Sequence, residues 1–179
     1  MPENTRPTID WLEPLHVAAR RLLDRLASEY DVTVFPLPGY RHEGATVSEA
    51  VQVVPAEPRA ASVLLAFTNA PGVIVRAGVL HEFCFPPLGG HAQADAASLV
   101  GQLEDLILTI VNGGYTETVD GSMVSFSLRH ANGWQFGECH SGQFPLELVA
   151  EACTVLAASP GGWAPWPPRD SRRGIAGAG

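Results

Sequence analysis

The stretch YTETVDGSMVSFSLRHANGWQFGEC, residues 115–139, contains three short runs that alternate apolar and polar side chains. Asp120-Gly121 and Asn132-Gly133 separate the runs, and such pairs form two-residue hairpin turns because they tolerate positive φ angles. The stretch therefore predicts three antiparallel strands, which lie at 115–119, 123–129 and 134–139.

Earlier in the chain, four further runs have the apolar, β-branched composition of strands: Val32–Phe35, Val47–Val54, Ser62–Thr68 and Val73–Phe85. The segment Asn69-Ala70-Pro71-Gly72 is a tight connection, so we expect the two strands around it to be antiparallel neighbours. Gly78 indicates a bulge or bend inside the last run.

Three segments have apolar residues at helical spacing, namely Trp11–Tyr30, Ala92–Val111 and Pro145–Ala158. Gly113-Gly114 follows the second segment and provides a helix stop in which one glycine adopts the left-handed conformation. We expect all three helices to pack on the sheet through apolar stripes that bury Leu22, Leu26, Leu103, Leu106 and Val149.

The order of these elements predicts an α+β fold in which three helices pack on a mainly antiparallel sheet of about six to seven strands. With 179 residues and 46% hydrophobic content, the chain is long enough for one core, whereas two cores would each be marginal. We therefore predict a single domain over residues 1–170 and a flexible tail over residues 171–179.

The charge of the chain excludes several classes of function. Eleven basic against nineteen acidic residues give a formal net charge of -8, which repels a phosphate backbone, so we expect no nucleic-acid partner. All eleven basic residues are arginine. Without lysine the chain has no Schiff-base, P-loop or kinase-type lysine chemistry.

The compartment is predicted from what the sequence lacks. The polar N-terminus has no apolar stretch of the kind that a signal peptide needs, and the longest apolar runs are too short to cross a bilayer. Cys84, Cys139 and Cys153 form an odd, sparse set without a CxxC motif, which fits reduced thiols. We therefore expect a cytoplasmic protein that does not contact membranes.

One cluster resembles a metal site: His81, Cys84 and His91, with Asp95 as a fourth ligand if the second helix begins by residue 91. In a regular strand, however, residues 81 and 84 point to opposite faces of the sheet. We therefore expect no metal and no cofactor here, and interpret Cys84 as apolar filler and His81 as a polar group at a strand end.

The C-terminal segment that contains Trp163 and Trp166 has two interpretations. Its Pro-Trp-Pro-Pro sequence is typical of a polyproline ligand for a partner's groove. Alternatively, both tryptophans fold back onto the domain and fix its terminus, which is the interpretation we favour.

The chain also resembles an uncharacterised family of small proteins from high-GC bacteria, a domain of unknown function. The resemblance rests on residues 71–86, PGVIVRAGVLHEFCFP, and on four further pieces in the same order. These pieces are Pro14-Leu15-His16, Tyr30-Asp31-Val32, Gly113-Gly114-Tyr115-Thr116-Glu117 and Trp166-Pro167-Pro168-Arg169. Family members commonly follow the Phe-Pro pair with C-G-C-D-A-C, whereas this chain has Leu88, Gly90 and Gln93 at the cysteine positions and keeps the glycine at Gly89.

Two functional hypotheses follow. The first is a non-catalytic cytoplasmic binding or protein-interaction module, because no catalytic constellation is evident and an acidic surface suits a basic protein partner. The alternative is a small metal-assisted or hydrolytic enzyme that uses the loop between His81 and His91, since loops that lead into helix starts often gather functional groups.

Overall fold

The computed structural model describes residues 13–42, 45–69, 72–79, 81–85, 95–120, 123–131, 133, 135–141, 154, 156 and 162–170. These residues contain two complete helices, α1 (Glu13–Glu29) and α2 (Ala96–Val111). Asp95 caps the N-terminus of α2 by accepting a hydrogen bond from the Ser98 backbone N–H at 2.7 Å. Gly113, with a φ of 74°, follows the C-terminal end of α2 in the left-handed conformation that the sequence predicts.

The first sheet has five antiparallel strands that follow one another in chain order. They are β1 (Val32–His42), β2 (Ala45–Pro55), β3 (Val63–Thr68), β4 (Gly72–Ala77) and β5 (His81–Phe85). The predicted hairpin of β3 and β4 is confirmed, with Thr68 opposite Gly72. β1 and β5 are the outer strands of this sheet.

The second sheet is the meander that the hairpin signals predict. Its three antiparallel strands are β6 (Tyr115–Asp120), β7 (Met123–Arg129) and β8 (Gln135–Ser141). Asp120 lies opposite Met123 and Arg129 opposite Gln135, so both connections are short. The predicted turn positions are confirmed.

The α+β class and the antiparallel pairing are confirmed, but the expectation of one sheet with six to seven strands is wrong. The described residues form eight strands in two sheets. The run Val73–Phe85 contains two strands, because Gly78 adopts a φ of 62° and reverses the chain between them. Of the predicted third helix, Pro145–Ala158, the structure describes only Thr154 and Leu156, which are helical.

The main core lies between the five-stranded sheet, the two helices and the three-stranded sheet. α1 contacts α2, β1 and β4, while α2 also contacts β7. Leu22, Leu26, Leu103 and Leu106 are all buried, as predicted, whereas Val149 and the tail at residues 171–179 lie outside the described residues. Among the described residues, no helix is long and apolar enough to span a membrane.

The opposite face of the five-stranded sheet holds a second, smaller apolar cluster. One row crosses all five strands, with Leu37, Ala50, Ala66, Ile74 and Cys84 in successive cross-strand register. Ala50 and Ala66 at its centre are fully buried. Small side chains at these central positions let the sheet curl toward this face, which is therefore concave.

The sheet curls and the end of the β1–β2 hairpin bends far enough over this face to bring the two outer strands into contact. His42 in β1 and Glu82 in β5 lie 2.7 Å apart, Nε2 to Oε2. In a flat sheet, four strand spacings alone would separate the two strands by about 19 Å, and Glu82 shares its cross-strand row with Phe35 rather than with His42. A shift in register between Val47 and Glu49 marks a bulge in β2. Gly39 lies beside it, where a Cβ would come within 2.5 Å of the Val47 carbonyl oxygen. The bend of the β1–β2 hairpin thus requires glycine at this position.

The C-terminal segment returns to the core. Trp163 and Trp166 are buried, and the Trp166 indole donates a 2.8 Å hydrogen bond to the Ala61 carbonyl oxygen. The Trp166 backbone N–H donates to the Val111 carbonyl oxygen at 2.8 Å, and the Arg169 N–H donates to that of Glu29 at 2.8 Å. Folding back onto the domain, the favoured interpretation of this segment, is what the structure shows.

Candidate functional site

A buried polar network lies where the two sheets meet. His81 is the first residue of β5, and its imidazole Nδ1 lies 3.0 Å from Oε1 of Glu117 in β6. The exposed fractions of these two side chains are 3% and 0%. Because a carboxylate only accepts hydrogen bonds, the contact places the donated proton on Nδ1.

Glu117 collects donors from separate parts of the chain. The backbone N–H of Val79, in the turn between β4 and β5, lies 3.1 Å from Oε2. The Trp163 indole N–H donates to the same oxygen at 3.2 Å. A buried carboxylate is tolerated when hydrogen bonds replace its lost hydration, and here those bonds join both sheets and the C-terminal segment.

Tyr115 extends the network toward β4. Its hydroxyl donates to the Ala77 carbonyl oxygen at 3.3 Å and lies 3.2 Å from His81 Nδ1. Burial raises the pKa of Tyr115 well above its ordinary value of 10.0, and the neighbouring Glu117 raises it further through its charge and a hydrogen bond. The phenol therefore stays protonated across the physiological range.

Aromatic rings enclose the imidazole. The Phe126 ring centroid lies 4.5 Å from that of His81, at an interplanar angle of 60°, and Phe83 packs on Phe126 at 5.1 Å. His, Glu and Tyr are the residue types of acid-base catalysis. With side chains enclosed to this degree, however, the arrangement stabilises the fold, and a substrate in solvent would not reach them in this conformation.

Two of the candidate metal ligands, His81 and Cys84, do not converge. His81 faces the main core, whereas Cys84 packs beside Ile74 on the concave face, as expected for residues three apart in a strand. Asp95 caps α2, which begins at Ala96 rather than by residue 91, and His91 lies outside the described residues. Within the described part of the chain, no group of three or more His, Cys, Asp or Glu side chains is placed to hold a metal ion.

A second polar cluster lies at the rim of the concave face and is accessible to solvent. Glu82 accepts from Arg76 Nε at 2.8 Å and also from Arg76 Nη2, while its other oxygen contacts His42. Tyr40 packs beside His42 with ring centroids 6.2 Å apart. Burial raises the pKa of Tyr40, Arg76 opposes that rise, and Glu82 adds to it.

Sequence reasoning missed Glu117 and the cluster around Glu82. A signal for Glu117 was present, because it shares the inward strand face with Tyr115 while Thr116 and Thr118 alternate with it. Such a carboxylate on the apolar side of a strand needs partners. Arg76 and Glu82 would have been found as a cross-strand pair once Gly78 was read as a turn, whereas the contact of His42 depends on the curl of the whole sheet.

Substituting Gly78 with alanine tests how closely the turn approaches Glu117. The φ of 62° disfavours a side chain, and a Cβ would also clash with the Glu117 carboxylate. Gly133 is the matched control, because its φ is 91° but a Cβ there would meet nothing within 4 Å. In urea unfolding, we expect Gly78→Ala to lower the free energy of unfolding by about 2–4 kcal/mol and Gly133→Ala by about 1 kcal/mol. Equal losses would contradict this account.

Replacing Tyr115 with phenylalanine tests the buried phenol through pH. Folding raises the pKa of Tyr115. The contribution of the protonated phenol to the free energy of unfolding is therefore fully present below about pH 10, and it is lost as pH rises toward the folded-state pKa. The variant should lose about 1 kcal/mol at neutral pH, from the hydrogen bond to Ala77. Above about pH 10, the wild type should lose stability more steeply than the variant. Parallel curves of unfolding free energy against pH would show that Tyr115 is not buried as described.

Comparison with protein-family models gives a match over most of the chain. Residues 11–170 match a family described as a family of unknown function, DUF6226, which agrees with the resemblance to an uncharacterised family. No curated protein and no solved structure matches the chain significantly. Since the match spans most of the chain, the protein belongs to this family of unknown function.

Proposed function

We propose that the chain is a non-catalytic, cytoplasmic protein-interaction module that binds a basic protein partner through β1. The observation that carries the proposal is the exposure of this outer strand. Four consecutive residues of β1 are exposed, namely Thr33, Val34, Phe35 and Pro36. The exposed fractions of Val34 and Phe35 are 39% and 47%. Large apolar side chains exposed together at a sheet edge are typical of binding surfaces.

The hydrogen-bonding groups of β1 support recognition through its side chains. The Ala56 backbone N–H donates to the Asp31 carbonyl oxygen at 2.9 Å, so residues 33, 35 and 37 continue the hydrogen-bonded pairs with β2. Residues 34, 36 and 38 then direct their backbone groups outward. Pro36 and Pro38 lack an N–H there, which opposes edge-to-edge pairing with another sheet.

The side chains alternate between the two faces of the sheet at this edge. Val34 lies opposite Val53 on the face that the helices cover, whereas Phe35 lies opposite Gln52 on the concave face. A partner that wraps the edge would therefore contact apolar groups on both sides. Phe35 provides the larger of these two contact areas and would be the anchor.

Charge defines the class of partner. The chain carries a formal net charge of -8, so long-range attraction favours a basic protein and increases its association rate. Binding of this kind weakens with salt, because added ions screen the attraction between exposed charges.

The alternative, a metal-assisted or hydrolytic enzyme at the loop between His81 and His91, has less support. The His81 imidazole Nδ1 lies 3.0 Å from Glu117 Oε1, and 3% of the side chain is exposed. A general base must reach the proton that it removes from a substrate.

The proposal is tested by photo-crosslinking in cells, with a photoreactive phenylalanine analogue at position 35 and, as control, at Val17. Val17 is exposed to 41% but lies on α1. We expect a discrete crosslinked protein from position 35 and not from position 17.

Phe35→Ser should weaken binding of the purified partner at least tenfold, through loss of about 1.4 kcal/mol or more, while Val17→Ser leaves binding unchanged. Crosslinks of equal yield from both positions, or none from position 35, would contradict it.

A further inference from the structure

The contact between His42 and Glu82 is unusual because of where it lies in the sheet. It joins the two outer strands of a five-stranded sheet across the concave face. Beneath it, Leu37, Tyr40 and Val47 of the β1–β2 hairpin pack on Ala66 and Ile74. The contact therefore stabilises the curl of the sheet, which an ion pair between neighbouring surface residues would not do.

We infer that this contact is a pH-responsive clasp, in which the protonated His42 holds the β1–β2 hairpin against β5 through an ion pair and the neutral His42 holds it less tightly. The clasp would regulate the interaction surface proposed above, because β1 carries both His42 and Phe35. That regulatory role rests on the proposed function. The clasp itself is tested without any partner.

The geometry assigns separate roles to the two oxygens of Glu82. Oε1 accepts from the Arg76 guanidinium, and Oε2 contacts His42 at 2.7 Å. Within the part of the chain that the structure describes, the charged and titratable groups around His42 are Glu82, which favours the imidazolium, Arg76, which opposes it, and the Tyr40 phenol. Protonation gives Glu82 a second cationic partner and makes the contact a charge-assisted hydrogen bond.

Partial burial determines how much the ion pair between His42 and Glu82 contributes to stability. The exposed fractions of the His42 and Glu82 side chains are 23% and 24%, so water screens the pair less than it does an exposed surface pair. The ion pair exists only while the imidazole is protonated, and histidine is the side chain type whose charge ordinarily changes near neutral pH. Opening the hairpin should therefore become easier at alkaline pH.

Amide hydrogen exchange measured by mass spectrometry tests the clasp in the full-length chain. After correction for intrinsic exchange rates, we expect protection of β1 and the first half of β2 to fall by about three- to tenfold between about pH 6 and about pH 8.5. Exchange in α2 should not change over this range. In His42→Gln, the same segments should exchange at the high-pH rate at both pH values.

Two further variants make the result decisive. Glu82→Gln removes the carboxylate and should abolish the pH response as His42→Gln does, so either variant suffices if the other fails to fold. His130→Gln is the matched control, because His130 lies 3.5 Å from Asp105 in a contact outside the five-stranded sheet, and it should retain the response. An unchanged response in His42→Gln or Glu82→Gln, or its loss in His130→Gln, would overturn the clasp. If no partner of β1 is found, the exchange result still stands.

Discussion

The carboxylate of Glu117 is the group on which the arrangement of the described elements depends. It is completely buried, and its donors come from the turn after β4, the start of β5 and the C-terminal segment. A buried charge without such donors would lower the free energy of unfolding by several kcal/mol. A loss of that size is comparable to the whole stability of a marginal domain. The two sheets and the C-terminal segment therefore have to meet at this point, and Gly78 has to lack a side chain for them to do so.

The second constraint is the curl of the five-stranded sheet. Alanine at positions 50 and 66 and glycine at position 39 let the β1–β2 hairpin bend toward β5, where His42 and Arg76 meet Glu82. The middle of β1 is exposed on both faces of the sheet. The polar groups suited to catalysis are thus enclosed, while apolar groups suited to binding are exposed, and this contrast underlies the proposed function.

Local sequence signals predicted the elements well, because hairpin turns, helix stops and apolar stripes are encoded by neighbouring residues. The meander at residues 115–139, the glycine stop after α2 and the buried leucines of both helices were all predicted. The division of the run Val73–Phe85 into two strands was not, since the positive φ of Gly78 looks like a bulge until the two strands around it are seen to pair. The burial of Trp163 was favoured, but its partner Glu117 was missed because their contact joins residues 46 positions apart.

The most direct test of this account is the stability of Glu117→Gln in urea unfolding near neutral pH. The amide keeps the size of the side chain but replaces one accepting oxygen with an N–H₂ group. One of the donors from Val79, His81 or Trp163 then loses its acceptor in a buried site. We predict that the free energy of unfolding falls by about 2–4 kcal/mol. A value within about 0.5 kcal/mol of the wild type would contradict the claim that this carboxylate joins the two sheets and the C-terminal segment.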